Sequence, residues 1–118
     1  MDWQSKPILD KEAGTARLGD DLEFWFELVE LLIDDTQQRV TKIGELLTSK
    51  SFMEISREAH SIKGAAANVE ACRLQEAALL LERDAEKGDL QITKEGISLL
   101  ETSLKEVEEE LHRLSKAS

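Results

Sequence analysis

His60, Lys63 and Gly64 are the residues whose types and spacing could do chemistry. Imidazole can serve as a nucleophile near neutral pH, and an ammonium one helical turn away can meet developing negative charge. All three stand in the run Ala59-His60-Ser61-Ile62-Lys63-Gly64-Ala65-Ala66-Ala67-Asn68-Val69. Apolar residues keep a three-and-four spacing through it, at Phe52, Ile55, Ala59, Ile62, Ala66 and Val69, which predicts a helix with one buried side. At about 100° per residue, His60, Gly64 and Ala67 face away from that side, and Lys63 sits on its shoulder. Glycine inside a helix costs about 1 kcal/mol relative to alanine, and alanines follow Gly64 directly. A missing Cβ four residues after an imidazole matters most when something bulky must approach the ring. An exposed imidazole, a nearby cation and a cleared approach suit a group that receives a dianion. Taken alone, His60 reads as an ordinary surface histidine. Lys63 and Gly64 at those spacings shift the balance.

The other chemistry-bearing residues make poorer sites. A di-iron bundle needs carboxylates from four helices and two Glu-x-x-His pairs, whereas only Glu109-x-x-His112 fits, within an acidic stretch. No metal and no cofactor is expected. His112 is followed by Ser115 and Lys116 where His60 has Lys63 and Gly64, and reads as a surface histidine. Cys72 is the single cysteine, which excludes an internal disulfide, and no neighbour in sequence activates its thiol. A small hydrophobe is the expectation for it. No glycine-rich phosphate loop follows a strand, so a phosphoryl group reaching His60 has to arrive on a partner.

Across 118 residues the formal charge is −10, with 25 Asp and Glu against 15 Lys and Arg. That balance argues against nucleic acid, which needs clustered Lys and Arg, and equally against an anionic membrane surface. No apolar run is long enough to span a bilayer, and the N-terminus lacks a basic-then-apolar signal pattern. A cytoplasmic location is expected. One proline, six glycines and 34% charged residues suit a single all-helical domain over residues 1–118.

Five elements have to position the histidine. A lead-in over residues 1–6 precedes a short helix at about 7–18, with Pro7 in its first turn, Gly14 weakening it and Gly19 ending it. Asp20 or Asp21 can cap a long helix over about 21–48. Its main apolar stripe is Leu22, Trp25, Phe26, Val29, Leu32, Ile33, Val40, Ile43 and Leu47. Phe24, Leu28 and Leu31 form a second strip on another side, which either the short N-terminal helix covers or a partner protein uses. Ser51 and Glu54 have the spacing of a capping box for the His60 helix, expected to run to about Asn68. A fourth helix is expected over about 70–87, buried along Leu74, Ala78, Leu81 and Ala85, with Gly88 as its stop. The last carries a heptad pattern, Ile97, Leu100, Leu104, Val107, Leu111 and Leu114. Glu101, Glu106, Glu108, Glu109 and Glu110 are expected on its solvated face. Four long amphipathic helices with short connections, over about 20–115, pack most simply as an antiparallel up-down four-helix bundle with a short additional N-terminal helix.

The stretch from Ala59 to Val69 closely resembles the signature of histidine-containing phosphotransfer (HPt) domains: a histidine, a hydrophobic residue at plus two, Lys-Gly, and small residues ending in Asn and an aliphatic. Leu74, the Leu81-Glu82 pair, the Gly88-Asp89 turn and Leu18-Gly19-Asp20-Asp21 extend the resemblance over the chain from about Ile8. One departure is visible. The family often has glycine ten residues after the histidine, where this chain has Glu70, which points to a turn built differently, around Asn68.

The resemblance implies a phosphorelay carrier that exchanges a phosphoryl group with the aspartate of response-regulator receiver domains. His60 would be the phosphoacceptor, Lys63 would stabilise phosphoryl charge, and Gly64 would give steric access. Glu82 matches a position where the family often has Gln or Glu bonding the imidazole. The candidate docking surface is Phe24, Leu28, Leu31, Met53 and Ala67. The implied partners are a receiver domain, a hybrid sensor histidine kinase, or both, and the chain would be a monomeric carrier rather than an enzyme, with Mg²⁺ and catalytic groups on the receiver. Two alternatives stand beside this reading: the phosphoacceptor module of a chemotaxis-type kinase, and a non-phosphorylated helical adaptor that binds receivers.

Overall fold

The computed structural model describes residues 5–117, so most of the expected lead-in lies outside the described residues. Five helices follow: α1 (Lys11–Ala16), α2 (Leu22–Thr48), α3 (Phe52–Asn68), α4 (Cys72–Glu86) and α5 (Leu90–Ala117). The connections 49–51, 69–71 and 87–89 are too short for anything but antiparallel neighbours. Helix α3 packs on α2 and α4, and α5 packs on α4 and α2, closing a four-helix ring, with α1 set against α2. Trp25, Ile43, Ile55, Ile62, Leu74, Leu81, Leu100 and Val107 are fully buried at its centre. The buried positions follow the expected stripes, since each helix has one apolar side to hide. Among the described residues, no helix is long and apolar enough to cross a membrane.

Helix α1 is shorter than the spacing predicts. It begins at Lys11 because Asp10 caps it, accepting the Ala13 N–H at 3.1 Å. The Asp10 N–H is spent elsewhere, donated to the Glu70 carbonyl at 3.0 Å, which holds the preceding residues out of the helix. Gly14 has a use the sequence hides. The α1 backbone lies so close to the Trp25 indole that a Cβ at Gly14 would overlap the ring. The indole in turn donates to the Val69 carbonyl at 3.0 Å, so α1, α2 and the end of α3 meet at one buried aromatic.

One cap settles an open alternative, and two helix ends depart from expectation. Asp21, not Asp20, caps α2, accepting the Phe24 N–H at 3.0 Å. Ser51 occupies the N-cap of α3 without a side-chain capping bond, because its hydroxyl pairs with Ser49 Oγ at 2.8 Å; no capping box forms. The turn after α3 is built on Glu70, at φ +60°, and not on Asn68, the last helical residue. Ala71 N–H reaches the Ala66 carbonyl at 3.0 Å and Glu70 N–H the Ala67 carbonyl at 3.2 Å, the bonding pattern that a left-handed residue closes at a helix end. Glycine is the usual residue there, and Glu70 is held in the strained conformation by its carbonyl bond to Asp10 and an ion pair with Arg17 at 3.2 Å. Since Glu70 is left-handed, α4 starts only at Cys72 rather than at about residue 70.

On α5, Glu101 and Glu109 are exposed as expected, but Glu106, Glu108 and Glu110 are half-buried and partnered. Arg73 reaches Glu106 at 3.2 Å, Gln37 reaches Glu108 at 2.6 Å, and Arg113 pairs with Glu110. Helices α2 and α4 bring Gln37 and Arg73, which the α5 sequence alone does not show, whereas Arg113 lies on α5 itself, three residues after Glu110.

Candidate functional site

The core stripe of α3 faces inward, which turns His60 out to solvent with its side chain 66% exposed. Glu82 on α4 lies beside it because α3 and α4 cross closely along their small residues, Ala59, Ala66 and Ala78 all being fully buried. The Glu82 carboxylate sits between two donors: His60 Nδ1 is 3.0 Å from Oε2, and Lys63 Nζ is 2.7 Å from Oε1. Burial of Glu82 acts against its charged form, but the hydrogen bonds from Lys63 and His60 and their positive field outweigh it and hold the carboxyl below the usual glutamate range. An ionised carboxylate only accepts hydrogen bonds, so the proton of this pair sits on Nδ1 and the lone pair of a neutral ring on Nε2. Among the described residues Nε2 has no partner.

Gly64 is exposed, and a Cβ built there would meet nothing within 4 Å. No packing contact among the described residues asks for glycine. Phe24, Leu31 and Met53 are exposed at 44%, 62% and 58%, and Leu28 and Ala67 are half-buried. Helix α1 leaves the Phe24–Leu28–Leu31 strip uncovered, because Gly14 seats it on Trp25 and only its trailing Arg17 and Leu18 reach the edge of the strip. There they wall an open groove of about 510 Å³ with Leu28, Leu31, Ala65 and Val69. Met53 and Ala67 do not line this groove; they lie on the His60 side of α3. Ala65 and Asn68, which do line it, were not singled out by their sequence pattern, and only the crossing of α2 on α3 shows them. The Lys63–Glu82 pair likewise has no local sequence signal, since its members stand on two helices, and the family resemblance links Glu82 to the imidazole alone.

The remaining candidates stay apart from this face. Burial, and after it the charges of Glu70 and Asp10, push the Cys72 thiol up rather than activating it. His112 is exposed near the end of α5. Among the described residues no group of three His, Cys, Asp or Glu side chains is placed to hold a metal ion.

A surface imidazole on an antiparallel helical bundle, with a carboxylate on one ring nitrogen and the other open to solvent, defines a phosphoryl-carrier bundle. The Hpt domain family model matches residues 27–117, and the chain belongs to that family. It is a histidine phosphotransfer carrier of phosphorelays, where Hpt domains interact with response regulators and kinases. Its fold is shared with histidine-containing phosphotransfer protein B of Pseudomonas aeruginosa, at a TM-score of 0.83 and 21% identity over 95% of this chain and 97% of that one. A rice protein assigned to the histidine-containing phosphotransfer proteins gives a TM-score of 0.81 at 16% identity, over 92% of this chain and 82% of that one. No curated protein matches the chain in sequence.

Proposed function

We propose that His60 is the phosphoacceptor and that it reacts through Nε2. The observation that carries this is the Glu82 carboxylate bonded to Nδ1, which leaves Nε2 as the solvent-facing nucleophile. Nε2 attacks the phosphorus of a receiver's aspartyl phosphate; the N–P bond forms as the P–O bond to the aspartate breaks, and the carboxylate leaves. The ring becomes an imidazolium, whose Nδ1–H remains bonded to Glu82. Transfer onward reverses these steps on a second receiver. Lys63, tethered to Glu82 one turn from His60, offers its ammonium to the phosphoryl oxygens in flight. Gly64 clears space for the receiver's active site, and Phe24, Leu28, Leu31, Met53 and Ala67 belong to the surface on which the receiver sits. Mg²⁺ and the catalytic groups come from the receiver, so the chain acts as a carrier, as one monomeric Hpt domain, in the cytoplasm with its partners.

The test is transfer from phosphorylated receiver domains. Phosphate that is acid-labile and base-stable should appear on the chain, vanish with His60→Gln and persist with His112→Gln. Label retained in His60→Gln would sink the assignment. Transfer from a kinase core but from no receiver would instead favour a chemotaxis-type phosphoacceptor module.

A further inference from the structure

Ser56 is a buried hydroxyl at the contact of α3 with α4, one turn before His60. It stands four residues before His60 and seven before Lys63, on one side of α3, and is 6% exposed. Alanine would fill nearly the same space beside Ile55 and Ala59 without a polar group to bury, so the hydroxyl has to have a partner. Its partners lie on α4: Ser56 Oγ is 3.2 Å from the backbone carbonyl oxygen of Glu82 and 3.4 Å from Glu86 Oε1. A hydroxyl has one proton, and the shorter bond goes to Glu82, whose carbonyl has a second lone pair beyond the one its own helix uses. Among the described residues, every side-chain hydrogen bond between α3 and α4 ends on Glu82 or on Glu86 one turn later. From the other side, α5 closes on the residue just before Glu82. A Cβ at Gly96 would lie 3.1 Å from Leu81 Cδ1 and 3.4 Å from Leu81 Cα, so glycine lets the two backbones come together there. The Glu82 backbone is thus held from α3 and from α5.

We propose that Ser56 is a positioning residue for phosphoryl transfer: by tying α4 to α3 at the Glu82 carbonyl, it keeps the Glu82 carboxylate on His60 Nδ1 when Lys63 turns to the phosphoryl oxygens. The proposal rests on the reading of His60 as a phosphoacceptor that reacts at Nε2. Before transfer the carboxylate has two anchors, Lys63 at 2.7 Å and the ring at 3.0 Å. The arriving dianion competes with Glu82 for the Lys63 ammonium, so one anchor weakens as the ring becomes an imidazolium. What then fixes the carboxylate against Nδ1 is the position of its own backbone, and Ser56 is the side chain that sets this relative to α3. Hydrogen bonds weaken steeply with misalignment, so a small slide of α4 along α3 costs the Nδ1 bond before it disturbs the core. Ser56 makes no hydrogen bond to the ring and acts through Glu82.

Two measurements on Ser56→Ala test this, one of them made without phosphate. Ring-nitrogen NMR of His60, at a pH where the ring is neutral, should show the proton shifting from Nδ1 toward Nε2 relative to the unaltered chain. Transfer from a phosphorylated receiver should slow about three- to tenfold, less than on loss of Glu82 itself. In a Glu82→Ala background the same substitution should change transfer by less than about twofold, because the group through which Ser56 acts is gone. Thr93→Val on α5 removes the bond of another buried hydroxyl, to the Asp89 carbonyl at 2.7 Å, and controls for a general loosening of the bundle. It should leave transfer within about twofold and the His60 tautomer unchanged. An unchanged tautomer in Ser56→Ala, or equal slowing with and without Glu82, would overturn the proposal. So would a Thr93→Val variant slowed as much as Ser56→Ala. Label surviving in His60→Gln would instead defeat the phosphoacceptor reading, and the tautomer comparison would still decide whether Ser56 positions Glu82.

Discussion

At the residue scale, the Glu82 carboxylate does two jobs that substitutions can separate. Glu82→Gln keeps an oxygen that accepts from Nδ1–H but removes the charge that favours an imidazolium and anchors Lys63. Glu82→Ala removes both. Transfer rates should therefore fall in the order Glu, Gln, Ala, with the alanine variant slowed about 10- to 100-fold, the range usual for losing a group that steers a proton. Equal rates in all three would show that the tautomer is set by something other than Glu82. Lys63→Ala should slow transfer while leaving the Nδ1 bond in place, because Lys63 touches the carboxylate and not the ring.

At the element scale, three glycines in helices have three different meanings. Gly14→Ala should destabilise by about 1–3 kcal/mol despite alanine's better helix propensity, because the new methyl meets the Trp25 indole. Gly64→Gln and Gly44→Gln point into open space and should each stabilise by about 0.5–1 kcal/mol. Only the first of these two should slow transfer from a receiver, since Gly44 lies on the side of α2 away from His60. Thermal melts and transfer rates on the same proteins separate the outcomes; unimpaired transfer in Gly64→Gln would refute the clearance argument. Periodicity was enough to find α2, α3, α4 and α5, because each buries one stripe against the same core. It failed at α1 and at the turn after α3, where Asp10, Arg17 and Glu70 meet across some 60 residues of chain. Nothing local in either segment announces those contacts. The same holds for the site: His60, Lys63 and Gly64 are neighbours on one helix and could be found by spacing, whereas the Lys63–Glu82 bond spans 19 positions and exists only through the crossing of α3 and α4. Lys50, also left-handed at φ +55°, offers a clean check on the cost of such turns. Lys50→Gly should stabilise by about 0.5–1 kcal/mol, and Glu70→Gly by less, since it also releases Arg17.

At the scale of the whole molecule, stability should follow the carboxylates that fold into partnerships. Burial opposes the charge on Glu58, but bonds from Lys42 and Arg39 lower its pKa; Glu82 is lowered in the same way by Lys63 and His60, and Glu110 chiefly by Arg113. A folded pKa below the unfolded one contributes stability that is present above the unfolded value and lost as pH falls through the folded value. Melting temperature should therefore drop as pH falls below about 4.5, and a Glu58→Gln/Glu82→Gln variant should show a shallower drop. A parallel pH dependence in the two proteins would place the acid sensitivity elsewhere. The proposed reaction asks one thing of this bundle, that a single ring nitrogen be presented outward while the other is held. Nitrogen-resolved NMR of the phosphorylated chain tests that most directly. Phosphorus coupled to Nε2 of His60, with a proton retained on Nδ1, is the predicted result; phosphate on Nδ1, or on any residue other than His60, would contradict it.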